Sequence, residues 1–172
     1  LIASFFSCNS RIVVIFNSHC PINYMNNVKL WHNLFDEGNI DRIDDLLDKH
    51  ATFFSPLVFK PQSGRKLTAL YLTNAYKMFF ADANNSFKYV RKIHSDTDSM
   101  LEFTCEVDGV LINGVDIIKW NAEGKIAEFK VMIRPNKAIE KVKEKMGELF
   151  SNITTMDNLQ MKASVIVDML KK

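Results

Sequence analysis

Between Leu101 and Val107 apolar residues recur at every second position, and Asp108-Gly109 follows. Leu101, Phe103, Cys105 and Val107 face one way while Glu102, Thr104 and Glu106 face the other, as in a half-buried strand. Asp-Gly favours a two-residue hairpin turn, because both central residues of that turn take positive φ. A turn there pairs Val107 with Val110, Cys105 with Ile112, Phe103 with Gly114 and Leu101 with Asp116. Side chains directly opposite share a face. The hairpin therefore dictates a sheet with one apolar face, which must be covered, and it puts Asp116 on that face.

The flanking segments supply the cover. Asn26 or Asn27 can cap a helix in which Val28, Trp31, Leu34 and Phe35 recur at helical spacing, with Gly38 as its stop. A shorter helix follows, with Ile40, Ile43, Leu46 and Leu47 on one face and Asp41, Asp44, Asp45 and Asp48 elsewhere. Residues 51–55 read as a strand ended by Pro56, residues 56–66 as a loop, and residues 67–80 as a third helix. Residues 87–94 alternate as a strand, with Phe87, Tyr89 and Ile93 on one side and Lys88, Lys92 and His94 on the other. After Trp120 a turn at residues 121–124 leads into a last strand, 125–134. That turn places Phe129 opposite Asp116 and Val131 opposite Gly114. Pro135 ends the strand, and a charged amphipathic helix runs over residues 137–150. The fold class is α+β: a curved, mostly antiparallel sheet wraps three N-terminal-side helices around an apolar pocket, as a cone-shaped roll.

A chain of 172 residues suits one domain. Residues 25–150 form it in this reading, with Met25 as the natural start, 1–24 as an extension outside the domain and 151–172 as a tail able to form one more short helix. Lys and Arg total 22 against 20 for Asp and Glu, without a basic stripe, which argues against nucleic acid. Lys137, Lys141, Lys143 and Lys145 interleave with Glu140, Glu144 and Glu148 as a solvated helix face. Cys8, Cys20 and Cys105 fit no zinc or redox spacing, and His32, His50 and His94 are scattered, so no metal and no cofactor is expected. The apolar stretch from Leu1 to Phe16 is broken by Asn9, Ser10 and Arg11. It is too short to span a bilayer and lacks a signal peptide's charged start and cleavage site. A reducing, cytoplasmic setting without a membrane partner follows.

The pieces Gly38-Asn39-Ile40-Asp41, Ala51-Thr52 through Ser55-Pro56, Ser63-Gly64, and Gly114-Val115-Asp116 through Gly124-Lys125-Ile126 together resemble the nuclear transport factor 2-like (cystatin-like) superfamily, in particular its bacterial SnoaL-like members. The resemblance runs from about Val28 to Phe150. It implies the cone fold, but the superfamily hosts enzymes, binding proteins and transport adaptors, so fold alone does not fix function. In its steroid isomerases three groups matter: a tyrosine on the first helix, an aspartate base before a proline, and an acid on a later strand. The acid falls on Asp116, the base on Ser55 and the tyrosine on Trp31, so only the acid carries over. The Asp-Arg-Asp set of the related epoxide hydrolases falls on Val131 and near Glu106-Val107-Asp108, and is not reproduced.

Asp116 is thus a carboxyl group among Leu101, Phe103, Ile118 and Phe129, where burial favours the neutral acid. A neutral acid in an apolar pocket can donate to a ligand oxygen. Trp31 would be a second donor, and Ser55 would orient the ligand. Phe53, Cys105, Val131 and Ile133 would complete the wall, with Cys105 acting as a small core hydrophobe. Tyr71 and Tyr76 could bring hydroxyls to the mouth or simply pack their helix. His94, at a strand end, reads as solvent-exposed. The other reading of Asp116 is a buried acid that satisfies an indole or a backbone amide and nothing more. Val115 and Ile117 face away from Asp116, and apolar residues on an outer sheet face suggest a homodimer. Two functions remain: a protein for a small apolar molecule, with Asp116 acting on a carbonyl-bearing ligand in its enzymatic form, or a non-catalytic dimeric module whose cone is filled by its own side chains.

Overall fold

The computed structural model describes residues 28–34, 38–81 and 86–152. The expectations for residues 1–24, the cap at Asn26 or Asn27, Phe35 and the tail beyond Asn152 lie outside them. Helix α1 covers residues 28–34. A tight turn at Ile40–Arg42 and the four-residue α2 (Ile43–Leu46) lead into β1 (Leu47–Phe54). Next come β2 (Gln62–Ser63) and α3 (Arg65–Tyr76), which ends in a wide π turn over Lys77–Ala81. Strands β3 (Lys88–His94), β4 (Asp98–Val107), β5 (Val110–Trp120) and β6 (Ile126–Arg134) follow, then α4 (Asn136–Ser151). They form one six-stranded sheet in the order β2-β1-β6-β5-β4-β3, antiparallel except for the β1–β6 pair.

The β4–β5 register is the expected one, from Val107 opposite Val110 to Leu101 opposite Asp116. Asp108 (φ 48°) and Gly109 (φ 75°) both adopt the left-handed conformation that this turn requires. The turn tip is tied to α4, because Asp108 Oδ2 lies 3.0 Å from Lys145 Nζ and 3.7 Å from Lys141 Nζ. Part of the lysine-rich helix face is therefore used in tertiary contacts.

The β5–β6 register differs from the expectation by two residues. Val131, not Phe129, stands opposite Asp116, Ile133 stands opposite Gly114, and Phe129 stands opposite Ile118. Trp120 pairs with Ile126, so the connection has one more residue than the four-residue turn predicted, and Ala127 is a bulge between Ile126 and Glu128. A slip of one residue reverses every side chain, and a second slip restores it. Phe129 and Val131 therefore keep their faces.

In β3 a single bulge does change the outcome. Tyr89 pairs with Phe103 but Arg91 with Glu102, which leaves Val90 as an extra residue. Beyond it the faces exchange: Ile93 lies opposite Met100 on the outer side, 53% exposed, and His94 lies opposite buried Ser99. The expected grouping of Ile93 with Phe87 and Tyr89 is overturned for that reason. The second helix is also shorter than expected, since the chain is extended from Leu47, which pairs with Ile126 of β6. The loop before α3 contains β2, whose Gln62 and Ser63 pair with Phe53 and Thr52.

The helices cover the face that carries Phe53, Phe103, Asp116 and Phe129. In α1, Trp31 is 1% exposed and its ring centroid lies 5.0 Å from that of Phe129. Phe53 stacks on Tyr71 of α3 at 4.7 Å, and Tyr71 meets Phe150 of α4 edge-on at 5.2 Å. Burying each such ring contributes ~1.5–3 kcal/mol. Among the described residues, no helix is long and apolar enough to cross a membrane.

Candidate functional site

Asp116 sits at the centre of β5, 7% exposed, between Leu101 on β4 and Val131 on β6. Gly114, two residues earlier on the same face, has no side chain because the ring of Phe103 lies over it. A Cβ there would run into that ring and stand 2.9 Å from the Met132 carbonyl oxygen. The glycine thus leaves room for the Phe103 ring, which borders the same chamber as Asp116.

The carboxyl has one side-chain donor among the described residues. Tyr89 donates its hydroxyl to Asp116 Oδ2 at 2.9 Å, and Trp31 Nε1 donates to the Tyr89 oxygen at 3.3 Å. An indole N–H only donates, so the Tyr89 oxygen accepts from Trp31 and directs its own proton to Asp116. Oδ1 takes no donor from the described residues, and Asp116 borders a small chamber of about 40 Å³. Trp31, Phe53, Phe103, Phe129 and Val131 border it as well. So do Tyr76, Phe79, Phe80, Phe87 and Tyr89.

Burial pushes the Asp116 carboxyl up to about 7, against the hydrogen bond from Tyr89, which lowers it. The same environment pushes the Cys105 thiol up to about 12, first by burial and then through the Asp116 carboxylate. Cys105 is therefore a neutral thiol with no nucleophilic character at ordinary pH.

A second chamber, of about 30 Å³, lies next to the first and shares Phe53, Ala75, Phe79 and Val131 with it. Ser55 and Ile133 border this second chamber, as do Tyr71, Met78 and, from α4, Val142 and Met146. The Ser55 oxygen accepts the Leu57 N–H at 3.1 Å, a local turn that fixes the Ser-Pro corner. The expected site residues are thus divided between two chambers. Leu101, Cys105 and Ile118 are buried but border neither. Trp31, expected to reach the ligand beside Asp116, instead spends its N–H on Tyr89.

Tyr89 is the residue that sequence reasoning passed over as a site group. The signal existed, since strand parity placed Tyr89 with Phe87 on one face, but nothing in the pattern pairs it with a carboxyl 27 residues later. A second polar group lies on the same sheet face. Trp120 Nε1 donates to Ser99 Oγ at 2.9 Å, and His94 Nδ1 is 2.9 Å from the same oxygen. Burial, and then Lys92, lowers the His94 pKa. Among the described residues, no three His, Cys, Asp or Glu side chains are grouped as metal ligands.

No protein-family model matches the chain, and no functionally curated protein matches it. Solved structures do. A steroid delta-isomerase from Pseudomonas aeruginosa is 27% identical, with a TM-score of 0.71 over 76% of this chain and 93% of that one. An uncharacterised protein with a cystatin-like fold from Silicibacter pomeroyi is 26% identical, with a TM-score of 0.67 over 76% and 89%. An NTF2-like protein of unknown function from Mesorhizobium loti shares the fold at a TM-score of 0.56 and 10% identity, over 66% and 92%. With its one curved sheet, the helices in its hollow and these likenesses, the chain belongs to the nuclear transport factor 2-like superfamily.

Proposed function

We propose that the chain binds a small apolar molecule carrying a hydrogen-bond acceptor, a carbonyl oxygen above all, with the acceptor held by Asp116. The observation that carries this is a buried carboxyl, one oxygen bonded by Tyr89 and the other without a donor among the described residues, on the wall of a chamber lined by aromatic rings. Protonated below pH about 7, Asp116 can donate from Oδ1 to the ligand oxygen. Polarising a carbonyl in this way is the acid half of a proton transfer. Neither Ser55, engaged with Leu57, nor Trp31, engaged with Tyr89, supplies the basic half. Binding with carbonyl activation is therefore the reading, and the likeness to a steroid delta-isomerase supports an apolar ligand. The chamber, about 40 Å³, is far smaller than the ~300 Å³ or more of a typical ligand site, so a ligand of that size requires its rings to move.

A thermal-shift screen of apolar ketones, enones and lactones tests this, repeated with Asp116→Asn. A ligand at one hundred times its dissociation constant adds about 2.7 kcal/mol, a rise of several degrees. Loss of the shift in Asp116→Asn, and a tenfold weaker affinity per pH unit above the carboxyl's pKa, is the expected result. No shift with any compound class would favour the filled cone.

A second reading concerns the outer sheet face. Val90, Ile93, Met100, Leu111 and Met132 are 44–71% exposed there, with Val115 and Ile117 half-buried between them. Such a patch supports a homodimer formed through this face. Leu111→Lys combined with Met132→Lys would then shift the sedimentation coefficient to that of a monomer.

A further inference from the structure

Resting on the ligand reading above, we infer that the two chambers are two halves of one elongated site. In it, a flexible hydrocarbon tail passes from Asp116 into the pocket beneath α4.

The geometry that supports this is the shared wall. Phe53, Ala75, Phe79 and Val131 border both spaces, so the two share a wall. Phe53 and Val131 are held by paired strands, β1 and β6. Phe79 is different: it sits in the π turn that ends α3, an irregularity often found at functional sites. Its ring packs on Phe103 at 5.4 Å and on Phe87 at 5.9 Å, both rings of the first chamber. A rotation of Phe79 would join the two spaces between walls held by paired strands.

The two ends differ in chemistry as this ligand requires. The first chamber has Asp116 and Tyr89 for a polar head. The second is bounded by Met78, Val142, Met146 and Ile133, with Tyr71 and the locally bonded Ser55 at its edge. Methionine side chains are unbranched and adapt to the shape of what enters, which suits a chain of variable length. The ligand class is a linear aliphatic compound with a carbonyl near one end.

The test is a series of linear methyl ketones, from butanone to undecanone, titrated calorimetrically into the full chain. Affinity should rise about fourfold per added methylene until the tail fills the second chamber, and then level off. Val142→Phe, which occupies that chamber, should move the plateau to shorter ketones while leaving butanone unaffected. Phe79→Ala, which removes the partition, should strengthen binding of the long ketones alone. Asp116→Asn should weaken every member alike. An unmoved plateau in Val142→Phe and unchanged long-ketone affinity in Phe79→Ala, with Asp116→Asn still weakening the series, overturns the joined site but leaves the ligand reading standing. Equal affinity of wild type and Asp116→Asn, or no binding at any length, overturns both.

Discussion

Two places on the inner sheet face use the same hydrogen-bond arrangement with opposite results. In one, Trp31 donates to Tyr89 and Tyr89 to Asp116; in the other, Trp120 donates to Ser99, which meets His94. In each, an indole that can only donate occupies a hydroxyl oxygen that also meets a titratable group. Both groups are driven toward neutrality, the acid upward and the base downward, and burial is the main cause in each. The surroundings separate them. Asp116 is deep and borders an empty space, whereas His94 lies at the exposed end of β3. An indole–hydroxyl–titratable-group arrangement is therefore a candidate site in one place and a strand-end clasp in the other.

Asp116→Asn should break the comparison most strongly. The folded-state pKa is raised from 3.8 to about 7, so the folded chain keeps a proton that the unfolded chain releases. Stability is thus full at acid pH and declines as pH rises through that window, by on the order of 4 kcal/mol in all. The Asn variant lacks this decline and should be the more stable protein in urea titrations above pH 7, with the two curves converging toward pH 4.

Trp120→Phe and Gly114→Ala come next, each expected to cost about 1–3 kcal/mol. The first strips the donor from a Ser99 hydroxyl that is 1% exposed. The second drives a Cβ into the Phe103 ring and against the Met132 carbonyl oxygen. Chemical denaturation measures both. A neutral Trp120→Phe would show that the second motif contributes nothing to stability.

Tyr89→Phe sharpens the comparison with a smaller effect. Removing the one bond that lowers the Asp116 pKa should move the carboxyl's NMR titration above 7. The smallest effect is expected from His94→Gln. A lowered His pKa means stability is lost as pH falls below 6.5 toward the folded value. The variant should flatten a slight acid-side decline, opposite in slope to that of Asp116, while leaving the alkaline side unchanged.

The β4–β5 hairpin could be read residue by residue from the sequence, including Asp116 opposite Leu101, because Asp-Gly sets the turn and period-two alternation sets the faces. Face assignments survived even where register did not: Phe129 and Val131 point inward although each is displaced two positions along β5. What could not be read were the bulges. One extra residue at Val90 turns His94 toward Ser99 and Ile93 outward, and nothing in the sequence of β3 announces it.

The sequence by itself determined the alternating sheet, the helices that cover it and a carboxyl on the covered face, since these follow from local periodicity and turn chemistry. Tertiary structure decided that Tyr89 rather than Trp31 reaches the carboxyl. It also decided that Ser55 lies in a separate chamber and that the hollow is nearly filled with rings. Those outcomes depend on bulges and on packing between segments distant in the chain, where a shift of one residue or one ring rotation changes which groups meet.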